Sequence, residues 1–230
     1  MNRVIEDFIN DHIAEIDANE WDQLYKSAIS ELSGESIGDL TTHLYAAGID
    51  PLAYLEYVPQ HYLYYSTLIN PELHEGIREI DHGAFSSSSI EKLIVPDSCE
   101  RVFSYACSNC QELRSVHLGA SVKSVGANAF FNCIKLSEIN FPKSLFEISA
   151  NAFKYCDSLP EVIDLPVGLN VIRQNAFELS EPRTYIIPKT VRRIHQDAFL
   201  PKRDTKLIID KENTYAQEWA EVNDYEYEVR

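Results

Sequence analysis

Between residues 77 and 210 the apolar positions return at an interval far longer than the period of any single helix or strand. Aligned on alanine, they recur at Ala84, Ala106, Ala129, Ala152, Ala176 and Ala198, spaced 22 to 24 residues apart. The residue after each alanine is Phe85, Cys107, Phe130, Phe153, Phe177 or Phe199, and an aliphatic stands three or four places ahead (Ile80, Val102, Val125, Ile148, Ile172, Ile194). Behind each alanine runs a short β-branched stretch, usually closed by proline, as in "LIVP", "INFP", "VIDLP" and "YIIP". Such a period is too long for a heptad and too short for a helical pair, and it fits one strand plus one turn per coil. No single coil can cover its own apolar face, so the pattern predicts a stacked solenoid of about six coils of about 23 residues.

Ahead of this region the pattern changes to a helical one. Trp21, Leu24, Tyr25, Ala28, Ile29 and Leu32 form one amphipathic stripe in "NEWDQLYKSAISEL", with Asn19 and Asp22 as a capping pair. Ile5, Ile9, Ile13 and Ile16 predict a preceding helix. A third follows over Ile37, Leu40, Leu44 and Ala47, stopped at Gly48, and "DPLAYLEYVP" predicts a short fourth with Asp50 as cap and Pro51 at its first position. At the other end, "KENTYAQEWAEVNDYEYEVR" predicts a short helix with Tyr215, Trp219 and Val222 on one face, then a strand. The expected organisation is an acidic helical domain over 1–58, a connecting segment and first capping coil over 59–76, the solenoid over 77–210 and a closing cap over 211–230. The fold class is α+β.

The string "VGANAFFNCIKLSEINFPKSL", repeated with variations six times over roughly residues 77 to 210, resembles the BspA-like class of bacterial leucine-rich repeats. Cys107 departs from the pattern in place of Phe, "PEVIDLP" carries one extra residue, and "ELSEPRTYIIP" lacks the Cys and Leu. The resemblance implies a leucine-rich-repeat solenoid, a bacterial, phage or prophage setting, and a role in binding.

Composition narrows the setting. A hydrophobic fraction of 45% with 24% charged residues opposes wholesale disorder. Five cysteines and no Asn-x-Ser/Thr site oppose a disulfide-stapled, glycosylated protein, so the thiols are expected reduced and the chain cytoplasmic, in the host cytoplasm if phage-encoded. No apolar run reaches the length of a membrane span. The net charge of -16 is uneven: residues 1–76 hold 14 acids and 2 bases, 77–210 hold 16 of each, and 211–230 hold 6 acids and 2 bases. Seven bases (Arg183, Lys189, Arg192, Arg193, Lys202, Arg203, Lys206) fall within 183–206, which predicts an electrically polar molecule.

Few motifs suggest chemistry. "GESIG" at 34–38 fits the nucleophile-elbow pattern, but a helix and not a strand precedes it, so Ser36 with Asp39 reads as a helix N-cap and Gly34 as the preceding C-cap. "CSNC" at 107–110 has no second pair to complete a four-ligand metal site, and both cysteines fall in repeat register, as small core residues. The histidines show no zincin spacing; no phosphate-binding glycine loop occurs. The strong overall acidity opposes direct nucleic-acid binding. No enzyme activity, cofactor or metal is expected.

Alternate residues of each long strand should point outward into a shared face, read as concave. One outward row is Ile94, His117, Asn140, Asp164, Ile186 and Ile208; its neighbour is Lys92, Ser115, Glu138, Thr184 and Lys206. The three isoleucines are expected to form a small apolar surface on this strip. These residues are the candidate site for a protein partner, with the acidic helices as the competing surface. The expected function is a protein–protein interaction module binding a host or phage protein, an occluding inhibitor being one form of it. The alternative is a self-associating assembly component of a phage particle or bacterial surface. The chain is expected to be a monomer or weak homo-oligomer.

Overall fold

In the computed structural model the described residues are 7, 21–46, 49–67, 70–178 and 184–230. The helix expected over Ile5–Ile16, the cap at Asn19, the stop at Gly48 and Arg183 lie outside them.

Two helices open the described chain, α1 (Trp21–Glu31) and α2 (Gly34–Ala46), followed by a 3₁₀ turn, Pro51–Tyr54. Two series of strands then interleave, one of short strands and one of strands up to four residues long. In chain order they begin β1 (Tyr57–Val58), β2 (Glu79–Ile80), β3 (Lys92–Ile94), β4 (Arg101–Val102), β5 (Ser115–His117), β6 (Ser124–Val125) and β7 (Glu138–Ile139). They continue β8 (Glu147–Ile148), β9 (Val162–Asp164), β10 (Val171–Ile172), β11 (Thr184–Ile187), β12 (Arg193–Ile194) and β13 (Lys206–Ile209). Helix α3 (Thr214–Val222) and strand β14 (Glu226–Val229) close the chain.

The short strands pair in parallel as one seven-stranded sheet, β1-β2-β4-β6-β8-β10-β12, each coil adding one strand. The long strands form a second side, split into β3-β5-β7 and β9-β11-β13-β14. Between the two sides runs a turn whose stacking is as regular as a sheet. Leu63 N donates to Ala84 O, Phe85 N to Ala106 O, Cys107 N to Ala129 O, Phe130 N to Ala152 O, Phe153 N to Ala176 O and Phe177 N to Ala198 O, all at 2.7–3.0 Å. Two residues per turn take left-handed backbone, four apart: His61 and Tyr65, Gly83 and Ser87, Tyr105 and Asn109, Asn128 and Asn132, Asn151 and Tyr155. Asparagine tolerates this region better than most residues, which explains the recurring Asn ahead of Ala-Phe.

The series begins one coil before the first alanine. Tyr57–Val58 pairs with Glu79–Ile80, and Tyr62 and Leu63 stand where later coils have Ala84 and Phe85. Tyr62 is large because helices, not another coil, lie against it. Its ring meets Tyr25 at 5.6 Å and Tyr45 at 6.3 Å, and its hydroxyl donates to Tyr45 Oη. Leu24, Tyr25, Ala28, Ile37, Leu40 and Leu44 are buried in the same contact.

Inside the coils the phenyl rings form a column. Phe130 stacks on Phe153 at 5.3 Å, Phe153 on Phe177 at 5.4 Å and Phe177 on Phe199 at 5.8 Å, with planes within 10° of parallel. Cys107 interrupts the column after Phe85. The repeat cysteines all bond back to an earlier coil. Cys110 Sγ donates to Phe85 O, Cys133 Sγ to Cys107 O and Cys156 Sγ to Phe130 O, at 2.9–3.1 Å. All five thiols are free and buried, and burial pushes those of Cys107, Cys133 and Cys156 well above the usual range. For Cys133 and Cys156, buried, carbonyl-bonded and held as thiols, this is the opposite of a redox or metal-ready environment, whereas the hydrogen bonds to Cys110 from Cys107 and Ser88 push its thiol down despite burial.

At the far end, Ala216, Trp219 and Ala220 are the buried face of α3, while Val222 is 81% exposed, contrary to the stripe expected from sequence. The helix ends there, and Tyr225 takes the inward place, stacked on Trp219 at 5.0 Å. Asn213, fully buried, caps α3 by accepting from Ala216 N at 3.0 Å and ties it to the last coils by donating to Pro188 O and Val191 O.

Candidate functional site

The split in the long-strand side follows from one proline and one extra residue. Arg114 O accepts from both Ser137 N and Glu138 N, and Glu91 O accepts in the same way from Arg114 N and Ser115 N. In the next coil Pro160 occupies the place of Ser137, has no N–H, and is followed by the inserted residue of "PEVIDLP", so β9 cannot continue the ladder from β7. A cavity of about 220 Å³ opens at the break, lined by Ile139, Asn140, Phe141, Pro160, Val162, Ile163 and Asp164. A second, of about 450 Å³, lies at the first edge, between Asn70–Leu73 and the side chains of Lys92 and Ile94. There the first coil has no long strand among the described residues, and Asn70 Oδ1 accepts from Lys92 N in its stead.

The alternation of the long strands is as the sequence implies. Leu93, Val116, Ile163, Tyr185 and Leu207 face inward and are buried. Lys92, Ile94, His117, Glu138 and Asp164 are exposed; Ser115, Thr184, Ile186, Lys206 and Ile208 are half-buried. Register aligns Lys92, Ser115 and Glu138 in one row and Ile94 with His117 in the other; past the break it aligns Val162, Thr184, Lys206 and Glu226, and Asp164, Ile186, Ile208 and Glu228. Val162, absent from the sequence-derived rows, is 51% exposed beside the break. It stands four residues before Pro166, as Lys92 does before Pro96 and Glu138 before Pro142, so the spacing itself points to this position. Glu226 and Glu228 extend both rows.

Two features differ from expectation. Asn140 is not free for a partner: its amide bonds the backbone of the preceding coil, Leu118 N to Oδ1 at 2.7 Å and Nδ2 to Leu118 O at 2.9 Å, in place of a strand bond. Nor do the three isoleucines form one surface. Ile186 and Ile208 are in register, whereas Ile94 is four strand positions from Ile186, about 19 Å at sheet spacing.

The charged ends also differ from the sequence picture. Pairs one repeat apart stitch coil to coil: Glu79–Arg101, Lys123–Glu100 at 2.6 Å, Lys135–Glu112 at 2.7 Å, Arg173–Glu147 at 2.7 Å and Lys154–Glu178 at 2.6 Å. Two bases of the basic stretch pair in the same way with the acidic cap, through Lys189–Glu212 and Lys206–Glu228. Arg192 donates to the carbonyls of Lys189 and Val191, Arg203 pairs with Asp204, and Lys202 lies over the Tyr225 ring.

No enzyme-like constellation forms around "GESIG". Ser33, not Ser36, caps α2, accepting from Ser36 N, and Gly34 is the helix's first residue and not the cap of α1. Gly38 is where α2 meets the first coil: a Cβ there would lie 2.0 Å from Tyr64 O. Among the described residues no group of three His, Cys, Asp or Glu could hold a metal, and no helix is long and apolar enough to cross a membrane.

These stacked coils match the BspA type leucine rich repeat region, in six copies, over residues 78–206. The chain belongs to that family. Among solved structures, it is similar to a leucine rich repeat protein of T. pallidum, at 29% identity and TM-score 0.46, covering 51% of this chain and 58% of that one. It is also similar to a leucine-rich repeat protein of Bacteroides ovatus, at 19% identity and TM-score 0.50, covering 73% and 52%. The chain thus spans between half and three-fifths of the length of these two proteins. No curated protein matches it. Membership of this family suggests a protein-interaction or surface module.

Proposed function

We propose that this BspA-type solenoid is a non-enzymatic docking module that takes a protein partner on its long-strand face. One observation carries the reading: the two most exposed aliphatic side chains of that face, Ile94 at 49% and Val162 at 51%, each stand beside a cavity, framed by His117, Glu138 and Asp164. Apolar anchors next to recesses, with polar side chains between them, are what a protein interface uses for energy and register. Assembly by strand addition is less well supported, because the open strand β14 presents Glu226 and Glu228, and charged edges discourage pairing.

The test is a comparative capture. The whole chain, an Ile94→Asp/Val162→Asp variant and a short-strand-side Lys123→Glu variant are used as baits against a bacterial lysate. A protein held by the first and third and lost from the second supports the reading. Equal retention by all three baits refutes it.

A further inference from the structure

The face opposite the docking strands has its own recess. It lies over the last short strands, under the edge of α3, with a volume of about 470 Å³, lined by Ala150, Val171, Ile172, Ile194, Arg173, Gln174, Arg193, His195 and Tyr215. We propose that it binds an anionic group, carboxylate or phosphate, borne on a small flat apolar body; this is independent of the docking reading.

The floor is hydrocarbon, with Val171, Ile172 and Ile194 each under one-tenth exposed. The rim is made of groups that each keep a proton to donate. Tyr215 Oη accepts from Ile194 N at 3.0 Å, standing in for the coil that would come next, so its own proton is left for something else. His195 Nδ1 accepts from Asp197 N at 3.1 Å, which puts the proton of the neutral ring on Nε2. Arg173 is held by Glu147 through Nε and Nη2, at 2.7 and 3.1 Å, leaving Nη1.

Arg193 is the decisive residue. Of the described cations between Lys189 and Lys206 it alone makes no hydrogen bond, close ion pair or ring contact, interacting only at longer range with Glu147, while the others are taken up by the cap, by Asp204, by carbonyls or by the Tyr225 ring. Its register partner is Val171, so its guanidinium projects beside the apolar floor. Two guanidinium groups stand here against two carboxylates, Glu147 and Asp197, the latter 3.7 Å from His195 Nδ1. The free guanidinium face of Arg193 is too little for the many phosphate contacts of a nucleic acid, but sufficient for one charge-assisted, bidentate anion contact. The volume lies in the range of small-molecule sites, about 300–1,000 Å³.

The experiment titrates the full chain with benzoate, phenyl phosphate, benzyl alcohol and inorganic phosphate by calorimetry, and maps amide shifts by NMR. At least one aromatic anion should bind, tenfold or more tightly than both benzyl alcohol and inorganic phosphate, and its preference assigns carboxylate or phosphate. Arg193→Gln should weaken it at least tenfold, Arg193→Lys less, and Arg203→Gln, outside the recess, not at all. Amides of Ile194 and His195 should shift in the unmodified chain. Equal binding of benzyl alcohol, unchanged affinity in Arg193→Gln, shifts confined elsewhere, or no heat from either aromatic anion at millimolar concentration would each overturn the proposal.

Discussion

Replacing Phe153 by Ala should do more than lower stability; it should divide the solenoid. Phe153 is fully buried. It stacks on Phe130 at 5.3 Å and on Phe177 at 5.4 Å, and meets the edge of Phe141 at 5.6 Å. A buried Phe→Ala change costs about 3–5 kcal/mol, and ring pairs contribute roughly 0.5–1.5 kcal/mol each beyond area. Because Phe153 pairs with three rings, the expected cost lies at the upper end, about 5 kcal/mol. That is comparable to the whole stability of a marginal domain, about 5–15 kcal/mol.

The position matters as much as the size. Phe153 sits in the coil of β9, where the long-strand ladder is already absent, so its junction with the coil before depends on the short-strand sheet, the turn ladder and the phenyl column. Coils couple only to their neighbours; weakening this junction should let the C-terminal coils melt first. In a Trp21→Phe background Trp219 reports the C-terminal end alone. Urea unfolding of Phe153→Ala should then show Trp219 fluorescence changing at lower denaturant than the far-ultraviolet circular dichroism, while the parent shows the two coincident. A loss below about 2 kcal/mol with coincident transitions would refute the column as the link between the two halves.

Other expectations are equally direct. Asn213→Ala removes a helix cap worth about 0.5–2 kcal/mol and takes one of two donors from each of Pro188 O and Val191 O, so about 2 kcal/mol should be lost in thermal unfolding; a loss under 1 kcal/mol would contradict its bridging role. Gly38→Ala should cost about 1–3 kcal/mol, because its Cβ would strike Tyr64 O, whereas Ser36→Ala should leave unfolding nearly unchanged. His74 bonds the carbonyls of Glu75 and Leu52 through both ring nitrogens, at 2.7 and 2.6 Å, which requires the imidazolium and holds its pKa above the usual value, the Glu75 carbonyl contributing most. A raised pKa means the contribution is fully present below about pH 6.5 and fades as pH rises through the folded value. Melting of the N-terminal end should therefore drop from pH 6 to 8, and His74→Gln should flatten that slope; an unchanged slope would sink the assignment.

Much of this fold was legible in the chain because a solenoid writes the same local problem six times. The alanine that fits the turn, the ring behind it and the outward alternation of the long strands all follow from spacing; the extra residue was legible too, but that it and Pro160 break the ladder shows only in the strand pairing. Single occurrences were harder to read. Ser33 and Ser36 are both competent caps, and only the packing of Gly38 on Tyr64 fixes where α2 begins. Val222 fits the helical stripe, but the chain turns there and brings in Tyr225.

Charge shows the division most clearly. Sequence determined that residues 183–206 are basic and the tail acidic, but spacing along a chain does not say which charges meet. Stacking set Lys189 against Glu212 and Lys206 against Glu228, and left Arg193 beside the recess under Tyr215. The period and the core belong to the sequence, because burial of a repeated apolar face has one stacked solution. The outward surface belongs to the tertiary structure: neighbours one repeat apart decide which polar groups are consumed and which remain available.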